Sequence, residues 1–264
     1  MTEKVLFEQE GGIATITLNW PETRNAITDD VILDPLEEAL HRVNRSDDIR
    51  VMILTGTDPA FSSGGNLKDV YERVGGFAGN ANDLRQGYRR GIQRIAKLLY
   101  DIEVPAIAAV NGPAMGAGCD FTTMCDIRIA SERAKFCETF CSLGLIPGDG
   151  GAWLLPRAIG MQRAAEMTFT ADPIDAATAL EWGLVSRVVP HEELMPTVRT
   201  LAKRIARRPA PGLRMAKKLL REGQHTRLDT LLEMSAAMQA VAHDTPEHRA
   251  ALEAVYERMF GAKS

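Results

Sequence analysis

The stretch Met115–Gly116–Ala117–Gly118–Cys119–Asp120 carries the most information in this chain. It follows an apolar run at residues 105–110, which is typical of a buried strand, and a turn at residues 111–113 with the sequence Asn-Gly-Pro. Residues 121–125 are mostly apolar or small and predict a buried helix. Small residues at a strand-to-helix turn expose backbone N–H groups at the helix N-terminus. Such groups stabilise a developing negative charge, which in an enzyme is an enolate or an oxyanion.

Strand and helix patterns alternate on both sides of this turn. Residues 4–19 predict two strands around Gly11 and Gly12, because residues 13–18 alternate with a period of two. Residues 28–44 predict a helix that Thr28 or Asp29 can cap. A loop rich in serine and glycine, at residues 58–66, follows the strand predicted at residues 50–55. Further strands are predicted at residues 50–55, 127–130, 135–137 and 185–189, and further helices at residues 83–100, 152–159, 161–170, 175–182 and 191–207.

This order of elements predicts an α/β fold with a helical appendage. Strands that alternate with helices indicate an α/β core. From Ala210 onward the pattern is helical throughout. We therefore predict an α/β core at residues 1–200 and a C-terminal helical region at residues 201–264.

The composition of the 264 residues narrows the class of protein. A hydrophobic fraction of 45% and a charged fraction of 25% are ordinary for a soluble globular protein. The net charge of −4 gives no electrostatic support for nucleic-acid binding. No apolar run is long enough to span a bilayer, and residues 1–4 lack the design of a signal peptide. We therefore expect a cytoplasmic protein with no nucleic-acid or membrane partner.

The four cysteines lie at positions 119, 125, 137 and 141, without a Cys-x-x-Cys pair. No histidine lies between His41 and His191, so the usual ligands of a zinc site are missing near the cysteines. The sequence therefore predicts no metal site, and reduced thiols in a cytoplasmic core.

Several segments together resemble the enoyl-CoA hydratase/isomerase (crotonase) superfamily, over nearly the whole chain. They occur in the order and at the spacing of that family, which makes the resemblance strong although each segment alone is weak. The segments are Pro-Glu-Thr-Arg-Asn-Ala at 21–26, Ala-Phe-Ser-Ser-Gly-Gly-Asn-Leu-Lys at 60–68, the run at 108–120 with Cys-Asp at 125–126, Leu-Gly-Leu-Ile-Pro-Gly-Asp-Gly-Gly at 143–151, and Gly-Leu-Val at 183–185.

The resemblance implies a spiral of ββα units with a C-terminal helical trimerisation region. It implies a coenzyme A thioester as substrate, with no cofactor beyond the coenzyme A that belongs to the substrate. It also implies a homotrimer or a dimer of trimers.

By the resemblance, the thioester carbonyl lies between the N–H groups of Gly65 and Ala117, which stabilise the enolate. Physical reasoning agrees, because Gly65 lies in a Ser/Gly loop that a ligand can approach closely. Ala117 lies near a helix start, where N–H groups are free and the helix dipole favours negative charge. The structural alternative for each glycine cluster is a tight turn.

The resemblance also assigns residues that contact coenzyme A and the acyl chain. Basic groups suit phosphate, although a basic residue on the surface can also be merely solvated. The aromatic residue near the C-terminus matches one that meets the adenine from a neighbouring subunit, although an amphipathic helix end also supplies a phenylalanine. The predicted substrate-binding residues are Arg24, Ala26, Ser63, Lys68, Phe140 and Phe260. Residues 70–100 and 140–160 are expected to build the acyl pocket.

The acid and base groups are where this chain departs from hydratases of the family, which use two glutamates. Asp120 occupies the position of the first glutamate, and its side chain is one methylene shorter than a glutamate. Phe140 occupies the position of the second glutamate and cannot take a proton. Glu138 and Asp149 are nearby carboxylates that can replace this second glutamate. On a strand Glu138 and Phe140 would share a face.

Each of the three carboxylates also has a structural interpretation. Asp149 is placed to cap the helix at residues 152–159. Asp120 can be a buried carboxylate bonded to backbone N–H groups. Glu138 can form a surface ion pair. A carboxylate that faces an apolar acyl pocket would instead have its pKa raised by desolvation, which suits proton transfer near neutral pH.

These observations predict an enoyl-CoA hydratase-like enzyme that adds water to a 2-enoyl-CoA double bond. Gly65 and Ala117 would form the oxyanion hole, and Asp149 with Asp120 or Glu138 would move the protons. Three alternatives stay open: an enoyl- or dienoyl-CoA double-bond isomerase, a hydrolase or dehalogenase on the same scaffold, and a non-catalytic binder of CoA thioesters.

Overall fold

The computed structural model describes residues 3–261, which form a mixed α/β core followed by helices. Its strands are β1 (Val5–Glu10), β2 (Ile13–Leu18), β3 (Val51–Gly56), β4 (Ala106–Val110), β5 (Ala114–Met115), β6 (Ile127–Ser131), β7 (Lys135–Cys137), β8 (Ile174–Asp175) and β9 (Arg187–Val189). Its α-helices are α1 (Asp30–Arg45), α2 (Leu67–Glu72), α3 (Ala81–Arg90), α4 (Ile92–Tyr100), α5 (Ala117–Met124), α6 (Gly151–Ile159), α7 (Met161–Thr170), α8 (Ala176–Glu181), α9 (Leu194–Ala206), α10 (Ala210–Glu222), α11 (Leu228–His243) and α12 (Pro246–Phe260).

Two sheets build the core. The larger sheet has the order β1-β2-β3-β4-β6-β9, and only its β1–β2 pair is antiparallel. The smaller sheet has the order β5-β7-β8. Because β5 follows β4 after a short turn, the chain passes from one sheet to the other directly before α5.

Both faces of the larger sheet are covered. Alternate residues of β2, β3 and β4 point to opposite faces, as strand geometry requires. One set, with Ile16 and Leu54, packs in the main core that also contains residues of α1, α4 and α5. The other set, with Ile53, packs against α9 through Leu194 and Val198. The short apolar sequence of β4, Ala-Ile-Ala-Ala-Val, is fully buried for this reason.

Helix α10 joins the C-terminal region to the core through a group of charges that includes the buried Lys217. Lys217 donates to the Val104 carbonyl at 2.8 Å and lies 2.7 Å from the Asp126 carboxylate. Arg221 donates to the other Asp126 oxygen at 2.9 Å and to the Met124 carbonyl at 2.8 Å. Asp126 therefore links α10 to the end of α5.

Helices α11 and α12 extend this region, and neither contains a buried residue. Their exposed large apolar residues are Leu228, Leu232, Val241, Leu252, Val255, Tyr256, Met259 and Phe260. Within residues 3–261, no helix has the length and apolar character needed to cross a membrane.

The predicted elements are largely present; several ends shift by one or two residues, and three elements differ more clearly, in extent or in kind. The helix predicted at 83–100 is two helices, α3 and α4, because the backbone breaks at Gly91. The strand predicted at 185–189 contains only β9, since residues 185 and 186 lie outside the ladder. The helix predicted at 191–207 begins as a short 3₁₀ turn before α9. The division into core and C-terminal region stays a prediction, and its boundary at residue 200 falls inside α9.

Candidate active site

Two glycine-containing loops meet at the N-terminus of α5. The N–H groups of Phe61 and Ser62 both donate to the Pro113 carbonyl, at 3.1 and 3.2 Å. The Met115 N–H donates to the Ser62 carbonyl at 2.9 Å. A strand-like bridge between Ser62 and Ala114 completes the junction. The loop at residues 60–66 is therefore fixed against the turn that opens α5.

The glycines at this junction permit a close approach of the two backbones. Gly64 has a φ of +75°, and a Cβ there would come within 2.4 Å of the Met115 carbonyl oxygen and 3.1 Å of the Ala117 nitrogen. A Cβ on Gly118 would come within 2.6 Å of the Ser62 carbonyl oxygen. Only glycine fits at these two positions.

The predicted oxyanion donors are brought together by this junction. Gly65 follows Gly64, where an added Cβ would lie 3.1 Å from the Ala117 nitrogen. Ala117 is the first residue of α5, where the N–H has no helical partner. Within residues 3–261, neither the Gly65 N–H nor the Ala117 N–H donates a hydrogen bond to the protein. The site therefore presents two neighbouring free donors.

Asn25 holds the loop at residues 60–66 in place, although its sequence position alone did not indicate this role. Its side chain is fully buried and accepts a hydrogen bond from the Trp20 N–H at 2.8 Å. Its amide nitrogen donates to the carbonyls of Thr57 and Ala60, both at 2.8 Å. The Ser62 hydroxyl donates to the Asn25 carbonyl at 2.7 Å. The only sequence signal was its place inside the segment at 21–26.

Three of the predicted substrate-binding residues lie beside the oxyanion loop. The Ser63 N–H donates to the Arg24 carbonyl at 2.8 Å, and the Ser63 hydroxyl donates to the Thr23 carbonyl at 2.9 Å. The Ala26 N–H donates to the Thr23 hydroxyl at 3.2 Å. Arg24 is exposed, with a left-handed backbone at φ +56°.

The other predicted substrate-binding residues are more scattered. Lys68 is exposed on α2, shortly after Gly65, at 4.0 Å from Glu72. Phe140 is half-buried, and its ring lies 3.6 Å from where a Cβ on Gly116 would be. Phe260 is 63% exposed at the end of α12, with its ring beside that of Tyr256. Phe260 is therefore carried by an element remote in sequence from the two loops.

Three carboxyl groups lie together next to the oxyanion junction. Asp120 belongs to the first turn of α5, Glu138 follows β7, and Asp149 precedes α6. Asp120 and Glu138 are fully buried, and Asp149 is 5% exposed. Over residues 3–261, neither oxygen of Asp120 or Glu138 has a hydrogen-bond partner of standard geometry, and Asp149 Oδ1 also has none.

Burial raises the pKa of all three groups. The pKa of Asp149 rises to about 7, chiefly through desolvation and then through the charge of Asp120. The pKa of Glu138 also rises to about 7, with desolvation as the main cause. Desolvation and the neighbouring Glu138 raise the pKa of Asp120 well above its ordinary value. Because two adjacent buried carboxylates repel each other, the proximity of Asp120 and Glu138 favours the protonated form of the pair.

The structural interpretations of Asp149 and Glu138 do not hold. The N-cap of α6 is Gly150, without a side-chain cap, so Asp149 does not cap the helix. Glu138 is buried rather than paired at the surface. Strand β7 ends at Cys137, and Phe140 has helical backbone angles, so the shared strand face expected for Glu138 and Phe140 does not exist.

A cavity of about 600 Å³ opens beside Asp149. Its wall is mostly apolar or aromatic, and it is built by residues of α4, α5 and α6, the loop before α6 and the turn between α10 and α11. Two lining residues, Met124 and His225, lie outside the ranges 70–100 and 140–160 that the sequence indicated. Of the three carboxyl groups, only Asp149 lines the cavity.

Comparison with known proteins identifies the family of this chain. Residues 8–260 match the family described as enoyl-CoA hydratase/isomerase. The chain is 37% identical over 249 residues to a 1,2-epoxyphenylacetyl-CoA isomerase from Escherichia coli, covering 94% of each chain. It is 33% identical over 257 residues to a crotonyl-CoA hydratase from Syntrophomonas wolfei, covering 97% of this chain and 96% of the relative.

Solved structures show the same fold. An enoyl-CoA hydratase from Bacillus anthracis superposes with a TM-score of 0.90 at 31% identity, covering 97% of this chain and 96% of the other. Family match, sequence identity and superposition thus extend over nearly the full length of the chain. The protein belongs to the enoyl-CoA hydratase/isomerase family, and its fold is that of the crotonase superfamily.

Proposed function

We propose that this enzyme of the enoyl-CoA hydratase/isomerase family forms the enolate of an acyl-CoA thioester and moves a proton with Asp149, and that double-bond isomerisation is its main reaction. One observation carries the choice of reaction. Of the three clustered carboxyl groups, only Asp149 reaches the cavity. A single base at the substrate suits the transfer of one proton between two carbons, whereas water addition by the two-glutamate route needs two carboxyl groups at the water.

The proposed reaction proceeds in two balanced steps. The thioester oxygen accepts hydrogen bonds from the N–H groups of Gly65 and Ala117. The Asp149 carboxylate removes a proton from C2 of a 3-enoyl-CoA, which gives a dienolate. The protonated Asp149 then returns this proton to C4, and the double bond ends between C2 and C3. A pKa of about 7 lets Asp149 act as base and as acid near neutral pH.

Hydration of a 2-enoyl-CoA is the second candidate. It is supported by the Asp120–Glu138 pair, which lies close enough to Asp149 to influence its pKa and can hold a second proton. Hydratases among the similar proteins, such as the crotonyl-CoA hydratase, also support it. In this reaction the pair would supply or accept the proton that Asp149 alone cannot carry.

Labelled water separates the candidates. The protein is incubated with 3-hexenoyl-CoA and with 2-hexenoyl-CoA in ¹⁸O water, and the products are analysed by mass spectrometry. Isomerisation converts the 3-enoyl ester to the conjugated ester without label, whereas hydration places ¹⁸O on C3. If the folded protein turns over neither ester, both candidate reactions are contradicted. Release of the free acid would favour a hydrolase instead. Tight binding without turnover would favour a non-catalytic binder.

The active unit in this proposal is a homotrimer or a dimer of trimers. The support is the exposed apolar surface of α11 and α12, two helices of 16 and 15 residues without a buried residue. Helices with such surfaces are usually covered by a partner in solution. Phe260 would then face a neighbouring subunit. Light scattering should give three or six times the chain mass of 28.9 kDa, and a monomer would contradict the proposal.

In this proposal the enzyme needs no metal and no cofactor beyond the coenzyme A of its substrate. The buried carboxyl groups carry out the proton transfers, and the backbone N–H groups stabilise the enolate. We place the enzyme in the cytoplasm, since its four cysteines are free and a reducing compartment keeps thiols in that state.

A further inference from the structure

The wall of the cavity beside Asp149 contains a connected series of aromatic rings. The rings of Tyr100 and Trp153 have centroids 5.5 Å apart and planes at 89° to each other. The rings of Trp153 and His225 have centroids 6.3 Å apart and planes at 65°. Each contact is therefore edge to face, the geometry that aromatic rings prefer. His225 comes from the turn between α10 and α11, so the C-terminal region completes this wall.

Two arginines fix these rings. The Arg157 guanidinium lies 3.9 Å from the Trp153 ring centroid and donates to the Trp153 carbonyl at 2.7 Å. The Arg221 guanidinium lies 4.2 Å from the Tyr100 ring centroid and is itself held by Asp126. Each ring has a cation stacked on it, and both rings line the cavity. The wall is thus preorganised before any ligand binds.

The cavity lies where the distal part of an acyl group has to go. The thioester site is at Ala117, the first residue of α5, and Met124 at the other end of that helix lines the cavity. Seven residues of α-helix span about 10 Å. Asp149 lies at the near end, beside Asp120, and also lines the cavity. An acyl chain that leaves the thioester and passes Asp149 therefore arrives at the aromatic wall.

We propose that the preferred substrates carry an aromatic ring in the distal part of the acyl group, and that Tyr100, Trp153 and His225 select for it. A planar ring continues the edge-to-face series and loses little conformational freedom on binding. A flexible chain of equal carbon number fills the same volume, but it must give up rotational freedom and cannot make ring contacts. This inference rests on the proposed function, because it assumes that the thioester lies at Gly65 and Ala117.

The test uses two saturated esters with ten acyl carbons each, 4-phenylbutanoyl-CoA and decanoyl-CoA. Neither can be isomerised or hydrated, so the test measures binding without chemistry. Calorimetric titration should give about tenfold tighter binding of the phenyl ester, because two aromatic contacts add to the area buried. Equal affinities, or tighter binding of decanoyl-CoA, would overturn the inference.

Variants locate the preference. Trp153→Leu should reduce the tenfold ratio to about twofold or less. The matched control is Trp182→Leu, because Trp182 also has an arginine over its ring, Arg163 at 5.7 Å, but does not line the cavity. His225→Leu is the second variant, since its side chain is 46% exposed and its replacement leaves the core intact. A preference that both cavity variants retain would contradict the assignment of these residues.

The outcome also separates this inference from the proposed function. If both esters bind without a ring preference, the inference about the aromatic wall is wrong, but the proposed isomerase reaction is unaffected. If the protein prefers the phenyl ester but does not turn over 3-hexenoyl-CoA, the proposed reaction is wrong, but the inference about the cavity is unaffected. Binding of neither ester contradicts both, since the thioester site itself would then be misplaced.

Discussion

The Cα of Gly151 lies directly against the carboxyl group of Asp120. A Cβ at Gly151 would come within 2.1 Å of Asp120 Oδ1 and 2.9 Å of its Cγ. Because Gly151 opens α6 and Asp120 belongs to the first turn of α5, this contact sets the spacing between the two helices that carry the candidate chemistry. It also brings Asp149, two residues earlier, close to Asp120.

Gly151→Ala should therefore impair the active site more than it impairs the fold. The added methyl group must displace Asp120 or α6, and overpacking of this kind typically costs about 1–3 kcal/mol. We expect kcat for isomerisation to fall by about 10- to 100-fold, as misplacement of a catalytic group does. Gly212→Ala is the control, since nothing lies within 4 Å of a Cβ at Gly212. Equal activity of the two variants would show that the contact with Asp120 is not critical.

Asp149→Asn should abolish most of the activity while CoA-ester binding is preserved. A side-chain acid or base typically contributes about 10²- to 10⁴-fold to the rate. We expect a loss of kcat in that range, measured with 3-hexenoyl-CoA, and a dissociation constant for a saturated ester within about threefold of the parent protein, since shape is retained. Asp47→Asn, at an exposed position, is the control. A variant that keeps full activity would exclude Asp149 as the proton carrier.

The rate of isomerisation should rise with pH through the region around pH 7. Proton removal requires the carboxylate form of Asp149, whose pKa is raised to about 7 by desolvation. The value of kcat/KM should fall about tenfold per pH unit below that pKa, as for a single essential base. A profile that is flat between pH 5 and pH 8 would point to a base with an ordinary carboxyl pKa.

The carboxyl cluster should make the protein less stable as the pH rises. In the folded protein Asp149 keeps its proton up to about pH 7, whereas in the unfolded chain it loses the proton near its ordinary pKa of 3.8. The folded state thus binds more protons between these values, so the free energy of unfolding falls as the pH rises through this window. The contribution of Asp149 amounts to at most about 4 kcal/mol, because one pKa unit corresponds to about 1.4 kcal/mol.

Urea unfolding at pH 4 and pH 8 measures this effect. Asp149→Asn and Glu138→Gln should each be more stable than the parent protein at pH 8 and nearly equal to it at pH 4, because the uncharged amide removes the cost of a buried charge. Asp47→Asn should follow the parent at both values. Destabilisation by both amide variants at pH 8 would mean that the carboxylates have stabilising partners.

Asn25→Ala should disturb the oxyanion loop although the side chain does not reach the substrate. The substitution removes the partners of the Trp20 N–H and the Thr57 and Ala60 carbonyls. Each buried polar group left without a partner costs about 1–3 kcal/mol. We expect a lower melting temperature together with a reduced kcat. Asn82→Ala, at an exposed position on α3, should change neither quantity.

The sequence was informative where one short segment contains both the candidate donor group and the turn that exposes it. Gly116–Asp120 follows β4 closely along the chain, so the strand-to-helix turn and its free N–H group could be predicted locally. The pairing with Gly65 could be predicted only through the family resemblance, because it joins segments about 50 residues apart.

The cavity beside Asp149 shows why the rest could not be predicted. Its wall joins Tyr100, Met124, Trp153 and His225, which come together only when α4, α5, α6 and the turn after α10 pack. Periodicity marks which face of a helix is buried but not which helix it meets. The burial of Asp120 and Glu138, which leaves Asp149 alone at the cavity, depends on the same packing.

The link between α10 and the end of α5 has a consequence for biosynthesis. Asp126 binds Lys217 and Arg221 on one side and accepts a hydrogen bond from the Ala106 N–H on the other, at 2.7 Å. The helix that begins at the Ala117 donor is thus anchored at its far end by residues translated about 90 positions later. A ribosome-bound chain that ends before α10 contains both predicted oxyanion donors and all three carboxyl groups, but it lacks this anchor. The nascent protein should therefore acquire its activity only when the last quarter of the chain has emerged, late in its own synthesis.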